Sequence, residues 1–416
     1  MSDRKRAVGE AADVDEHPLR GVRICLVFEH SLSHYSRILQ EMDALTRAGA
    51  AVQLLTSHRV RSDAPFGTPV TVAALDASIE GSELRWRPLR IACNLTRNAW
   101  NSGMARVRPG WNARHRVAAL HRIAPDVDLF WVIDYPSLPT VIDVVTTSGA
   151  KVVYETVDLV PEYLYQGECW SKQALDGERR LIGRVDGFIT ACDGYADYYV
   201  ERYGDEALRR RPLVRNNMPA AVASQFKPTA RPLRLLFLGS LMADRPVLEL
   251  IEAMALSSAD VTLAFQGKNL LGSGPADRIA ELGLEGCVTV LDPCPPDAIV
   301  EAASTYDVGI VALRGLDENE RRASTSKLFT YMSAGLAILG SDLPGIARIV
   351  GEHHNGVLVQ GAAPEDWAAA VDAIARLTDS AIDAMRQESL NAANVYRWER
   401  QRPDFIMEFV RALGRG

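Results

Sequence analysis

The sequence predicts an α/β protein built from two parallel-sheet domains that face each other across a cleft. Short apolar runs of strand length alternate with amphipathic helical stretches in two separate series. An unpatterned segment rich in Pro and Ala, at 216–232, divides the two series. Acidic residues fall at or just past the strand ends, the edge of an open α/β sheet where ligands bind.

The elements follow in order. The start, MSDRKRAVGEAADVDEHPLRG, lacks the apolar core of a secretory signal, so residues 1–18 are expected to be a disordered leader. The first domain, 20–218, opens with the strand VRICLVF at 22–28. In the following RILQEMDALTRAG, Ile38, Met42, Leu45 and Ala48 form one helical stripe and Gly49 supplies the stop. AAVQLLTS at 50–57 completes a βαβ unit. Two weak alternating strands, PVTVAAL and RWRPLRIAC, then precede an Arg-, Asn- and Trp-rich stretch at 95–116. The rhythm returns with DLFWVID at 128–134, KVVYETVD at 151–158 and GFITAC at 187–192, which place Asp134, Asp158 and Asp193 at strand ends. A linker is expected over 219–232.

The second domain, 233–395, begins with LRLLFLG at 233–239 and continues with the strands VTLAFQG, CVTVL, DVGIVAL and LAILGS. Helices are expected over 246–256, 275–282, 296–304, 326–334 and 364–377, with Pro246, Pro275, Pro296 and Pro364 near their starts, where the missing N–H of proline costs nothing. The closing segment, 396–414, carries Trp398, Phe405, Ile406, Phe409 and Val410 on one apolar face, and a helix of that kind needs a surface to pack on.

Composition narrows the function. With 53 acidic residues against 46 Lys plus Arg, the net charge is −7, and no basic surplus is present to neutralise a nucleic-acid backbone. The six cysteines are scattered without a CxxC pair, as expected for buried thiols in a reducing compartment, and a cytoplasmic protein is the expectation. No apolar run reaches the roughly 18 residues of a spanning helix. The stretch 84–116 combines many arginines with Trp86, Trp100 and Trp111, so peripheral membrane contact stands as a second reading beside an acceptor or surface loop.

Several chemistries lack their signatures. Neither a P-loop nor GxGxxG follows the first strand of either domain, and GxSxG and HExxH are absent. His353-His354 precedes Asn-Gly and reads as a turn. The Asp126-Val127-Asp128 run lies before its strand, so no metal site and no required cofactor are expected.

The most informative stretch is SKLFTYMSAGLAILGSDLPGIARIVGEHHNGVLV at 326–359. With Lys327, Phe329, Tyr331, Met332, Gly335, Leu336, Gly340, Asp342, Pro344, Gly345 and Gly356, it resembles the sugar-donor segment of GT-B glycosyltransferases, in the glycogen-synthase-like superfamily called family 4, or group 1. Further matches lie in the family's order: Arg37 with the downstream Ala-Gly and Val52, VVYETVDLVPE at 152–162, VRNNMP at 214–219, and RWE at 397–399. The resemblance implies a GT-B fold of two Rossmann-like domains, with the terminal helix returning to the first.

It also implies roles. Transfer from a nucleotide sugar needs cations and helix N-terminal amides to offset the charge developing on the leaving diphosphate. By family position Arg245 and Lys327 are those cations, Ser240 stands where the family has a further Arg, and Gly267, Thr330, Asp342, Pro344 and Gly345 complete the sugar-donor side. The paired glutamates of the family fall at Arg322 and Thr330; Glu318 or Glu320 fills part of that gap if the loop 315–324 folds back. On the acceptor side stand His30, His34, Asp134, Tyr135, Glu155 and Asp158, with His30 and Asp158 as candidates for proton transfer. Tyr35, Trp100, Trp111, Trp131 and Tyr163 are further aromatic candidates there. The function implied is retaining transfer of a hexosyl-type unit from a nucleotide sugar to a small or lipid-linked, hydroxyl-bearing acceptor. Two alternatives stand beside it: a sugar- or nucleotide-binding relative without turnover, motivated by Arg322 and Thr330, and a nucleotide-sugar epimerase.

Overall fold

The computed structural model describes residues 17–28, 36–56, 71–74, 120, 126–163, 168–219, 221–223 and 226–415. In the first domain the strands β1 (Arg23–Phe28), β2 (Ala51–Thr56), β3 (Thr71–Ala74), β4 (Leu129–Ile133), β5 (Lys151–Thr156), β6 (Gly187–Thr190) and β7 (Leu213–Val214) make one sheet in the order β3-β2-β1-β4-β5-β6-β7. The second sheet contains β8 (Leu233–Leu238), β9 (Val261–Gln266), β10 (Val288–Leu291), β11 (Val308–Val311), β12 (Ala337–Ser341) and β13 (Gly356–Val359), in the order β10-β9-β8-β11-β12-β13. Each pairing is parallel. Because helices cover both faces, β4 and β12 are buried along their whole length, which is why these strands read as continuous apolar runs.

In each sheet the strand order reverses once, between β1 and β4 and between β8 and β11. A crevice opens at such a reversal, outside the C-terminal strand ends. In the second domain the opening has a specific cause. β8 and β11 pair only at Leu235 with Val308 and Leu236 with Gly309. Beyond them the buried Tyr331 hydroxyl takes over, accepting from the Leu238 N–H at 2.7 Å and donating to the Ile310 carbonyl at 3.2 Å. Gly309 makes room for the ring, since a Cβ there would lie 2.3 Å from it.

The helices of the first domain are α1 (Ser36–Arg47), α2 (Leu138–Ser148), α3 (Glu168–Leu181) and α4 (Asp193–Ala207). Ile38, Met42, Leu45 and Ala48 face the core, and Gly49, at φ 97°, ends the turn after α1. Packing begins directly after the expected leader: Leu19 is fully buried and its N–H donates to the Ala48 carbonyl at 2.9 Å.

The second domain carries α5 (Val247–Leu256), α6 (Gly274–Glu281), α7 (Ile299–Ala303), α8 (Glu318–Arg322), α9 (Ser326–Ala334), α10 (Pro344–His353), α11 (Pro364–Ala375) and α12 (Asp379–Val395). α7 starts three residues after Pro296, because 296–298 form a turn closed by the Ala298 N–H on the Pro295 carbonyl. The His pair closes α10: His354 adopts φ 53°, and His353 Nε2 sits 3.1 Å from the Tyr396 hydroxyl.

The last helix, α13 (Trp398–Ala412), packs on β5 and β6 of the first sheet and on α1. Phe405 and Phe409 meet Trp131 of β4 edge-on, with ring centres 5.9 and 5.7 Å away. Buried Glu408 accepts from the Phe188 N–H at 2.9 Å and pairs with Arg210. The apolar face seen in the sequence is therefore part of the first domain's core. Phe409→Ala should lower the stability of the first domain by about 3–5 kcal/mol, read as an earlier urea transition, whereas Leu256→Ala at an exposed position should leave it within about 0.5 kcal/mol.

Candidate functional site

A cavity of about 290 Å³ lies where the two crevices face each other. The first domain contributes Arg37, Val157, Asp158, Cys192, Tyr195 and Asn217 to its wall. The second contributes Arg245, Leu313 and the run from Asn319 and Glu320 through Ala323 to Ser326.

The second-domain wall is cationic and amide-rich. α9 points its N-terminus at the cavity, with Thr325 as N-cap; the Thr325 hydroxyl is buried and makes no capping bond, and no partner for it is present among the described residues. Lys327, in the first turn, lays its ammonium 4.4 Å from the centre of the Phe237 ring and close to Gly239. Burial, with the positive charge of Arg245 adding to it, pushes the Lys327 ammonium down to about 7, while Asp244 and Glu320 pull it back. Arg245 donates through Nη1 to Glu320 at 2.9 Å. The other oxygen of Glu320 accepts the Gly315 and Leu316 N–H groups at 3.0 and 3.2 Å, so the loop 315–324 does fold back and brings a carboxylate to the cavity.

The remaining sugar-donor candidates occupy varied places. Gly267 is a close crossing of backbones: a Cβ would lie 2.0 Å from the Gly239 carbonyl oxygen. Ser240 follows Gly239, half-buried and outside the cavity wall. Gly345 similarly abuts the Arg322 and Ala323 carbonyls, where a Cβ would come within 2.4 and 2.5 Å. Asp342 is exposed and accepts from Gln360, and Pro344 begins α10 and lines a second, charged groove instead. Thr330 requires a correction. It is buried in α9 and its hydroxyl donates to the Ser326 carbonyl at 3.0 Å, four residues back, so it does not reach the cavity.

Arg322 is likewise drawn elsewhere. Its guanidinium donates to Glu201 of α4 and to Glu318, both at 2.7 Å, and lies over Tyr198. Beside it Arg348 donates to Asp197 at 2.7 Å. These ion pairs join the two domains in the second groove.

On the acceptor side, Asp134 and Asp158 come together. Asp134 follows β4 with φ 60° and ψ 159°, a region that glycine ordinarily occupies, at a cost of about 1–3 kcal/mol. It is held there because Oδ1 accepts the N–H groups of Val157 and Asp158, at 2.9 and 3.3 Å, and its own N–H donates to the Glu155 carbonyl. Burial, then the charge of Asp158, push its carboxyl up to about 8.

Glu155 is corrected outright. It lies one residue before the end of β5 and is fully buried, its carboxylate accepting from Arg37 and, at 2.8 Å, from Trp131 Nε1. Arg37 also donates to Glu41 at 2.9 Å, and Arg215 Nε lies 3.0 Å from Glu41, off the line of a hydrogen bond. This quartet is an internal ion network, and acceptor binding by Glu155 is excluded by burial. Trp131 belongs to the same core. Tyr135 turns its hydroxyl against Gly177 of α3, inside the first domain, so it too leaves the acceptor set. His30, His34, Tyr35, Trp86, Trp100 and Trp111 lie outside the described residues. Asn319, Tyr195, Thr325 and Asn217 were absent from the sequence-based set; no spacing links residues that meet from 124 positions apart, as Asn319 and Tyr195 do. Among the described residues no three His, Cys, Asp or Glu side chains gather into a metal-holding group, and no helix is long and apolar enough to cross a membrane.

Residues 232–377 match the family model described as Glycosyl transferases group 1. D-inositol 3-phosphate glycosyltransferase of Nocardia farcinica is 24% identical over 263 residues, covering 57% of this chain and 55% of the relative. The match thus spans little more than half of that relative's length. Among solved structures, sucrose-phosphate synthase from Thermosynechococcus elongatus superposes with a TM-score of 0.66 at 16% identity, over 95% of this chain and 100% of that one. HepE of Anabaena, in complex with UDP-glucose, gives 0.66 at 14% identity, over 93% and 99%. Both likenesses are of fold.

The pair at the acceptor edge gives a pH test. The Asp134 carboxyl is raised in the folded chain, so its contribution to stability is complete below pH 4 and is lost as pH rises through about 8. Asp134→Asn keeps the accepting oxygen without the charge. The variant should gain stability relative to the parent between pH 5 and 8.5 in urea titrations; an equal difference at both pH values would refute the assignment.

Proposed function

We propose that this chain, a GT-B protein whose second domain is of the group 1 glycosyltransferase type, moves a hexosyl-type unit from a nucleotide sugar to a hydroxyl-bearing acceptor, small or lipid-linked, with retention at the anomeric carbon. The observation that carries the reading is the wall of the second domain: the Arg245 guanidinium and the N-terminus of α9 with the unengaged Thr325 hydroxyl line one cavity, and the Lys327 ammonium, without a carboxylate ion-pair partner among the described residues, lies behind that wall within reach of the charge of Arg245. That arrangement suits a diphosphate.

In the proposed reaction the bond from the anomeric carbon to the diphosphate oxygen breaks, and its electron pair leaves with the nucleoside diphosphate. Arg245, Lys327 and the α9 amides offset the growing negative charge. The acceptor oxygen forms the new bond on the same face, and its proton passes to the departing phosphate oxygen. Asp158, on the opposite wall, orients the acceptor hydroxyl, and the neighbouring Asp134, held as a neutral acid at neutral pH, supports it. No step calls on a metal or cofactor. A solved neighbour holds UDP-glucose and a relative is named for transfer to D-inositol 3-phosphate, so uridine-diphosphate sugars and polyol acceptors are the first substrates to test.

A reading as a binding protein without turnover draws on two observations: Arg245 is already paired with Glu320, and Thr330 and Arg322 stand where the family has glutamates. The two readings separate on turnover, since only a transferase releases nucleoside diphosphate.

Lys327 supplies the sharper test. Burial and the neighbouring Arg245 push its ammonium down to about 7, and a diphosphate needs it charged, so UDP affinity should weaken above about pH 7 by up to about tenfold per pH unit. Lys327→Met should bind UDP about tenfold or more weakly at pH 6.5 and with a flattened pH dependence, both read by titration calorimetry. Unchanged affinity in Lys327→Met and in Arg245→Met would remove the diphosphate from this wall. A product of inverted anomeric configuration, read by NMR, would overturn the retaining course.

A further inference from the structure

Two consecutive residues of the one-turn helix α8 reach to opposite sides of the cavity. Asn319 Oδ1 accepts two hydrogen bonds from the first domain, the Leu159 N–H at 2.8 Å and the Tyr195 hydroxyl at 2.6 Å. Leu159 directly follows Asp158. Glu320, the next residue along, holds Arg245 at 2.9 Å and the Gly315 and Leu316 N–H groups. The helix is itself fixed at both ends. Asp317 caps it by accepting the Glu320 N–H at 2.8 Å, and the Arg322 carbonyl accepts from Cys192 Sγ at 3.4 Å. Gly194 lies so near that carbonyl that a Cβ there would come within 2.2 Å.

We infer that Asn319 is a positioning residue, a strut that sets the distance from the Asp158 loop of the first domain to the Arg245 guanidinium of the second. The inference rests on the proposed reading, in which those two groups face acceptor and diphosphate. A neutral amide suits the place: it accepts both hydrogen bonds while adding no negative charge beside Asp134 and Asp158. Attack geometry is sensitive to such spacing, and a displacement of about 1 Å costs on the order of 100-fold in rate. Loss of the strut therefore acts on kcat, because it leaves the diphosphate wall intact.

The test compares the full chain with Asn319→Ala, Asn319→Asp and Tyr195→Phe. Asn319→Ala is expected to lower kcat about 30- to 100-fold, to leave the UDP dissociation constant within about threefold, and to raise hydrogen exchange at the Leu159 amide at least about tenfold. Asn319→Asp keeps both accepted bonds and should restore Leu159 protection, while the negative charge it adds beside Asp134 and Asp158 should limit it to a partial recovery of kcat; Tyr195→Phe, which loses one of the two bonds, should retain part of the Leu159 protection. Loss of Leu159 protection with kcat unchanged would overturn the inference, as would a fall in UDP affinity equal to the fall in kcat. Should the parent chain turn over no nucleotide sugar, the transferase reading fails by itself. Leu159 exchange then decides the strut alone, unchanged protection in Asn319→Ala refuting it.

Discussion

The Tyr331 hydroxyl stands where a ladder hydrogen bond would otherwise continue, and the site depends on that replacement. By taking the Leu238 N–H and the Ile310 carbonyl, it satisfies two buried backbone groups that β8 and β11 would have exchanged had they stayed paired. The strands are free to part without an unsatisfied group between them. The same residue belongs to α9, so the contact that opens the crevice also seats the helix whose N-terminal end presents Thr325 and Ser326 to it. A large aromatic fits there because Gly309 of β11 lacks a Cβ.

The charges of the molecule divide into those that hold the fold and those that face the cavity. Arg37, Glu41, Glu155 and Arg215 are balanced, buried and bonded mainly to one another, joining α1, β5 and the end of β7, with only Arg37 of the four reaching the cavity wall. Arg322 and Arg348 tie the second domain to α4 of the first. Arg245 and Lys327 differ from all of these. One has a carboxylate partner at the cavity wall, and the other has only an aromatic face among the described residues, an arrangement that leaves positive potential for an anionic ligand.

Much of the fold was legible because its causes are local. Continuous apolar runs marked strands covered on both faces, and the Ile38, Met42, Leu45 stripe marked α1. The resemblance around Lys327 placed the cation at the start of its helix. Glu155 was misplaced because a position near a strand end says nothing of direction: the two-residue period puts it on the face of Val153, toward Trp131 and α13. Thr330 lay at a family position, yet its short side chain bonds back to its own helix. Asn319 carried no signal, since its partners arrive from another domain. The terminal helix showed its apolar face plainly, while which surface received it depended on the resemblance and not on periodicity.

The central claim is that the interdomain cavity is a place of sugar transfer. Its most direct test is mass spectrometry of the full chain with a panel of nucleotide sugars, with and without a cellular metabolite extract as the source of acceptors. One donor should be consumed, with a glycosylated acceptor and free nucleoside diphosphate appearing in equal amounts. Donor bound stoichiometrically but never released as diphosphate, or a new sugar epimer formed without any acceptor, would contradict it.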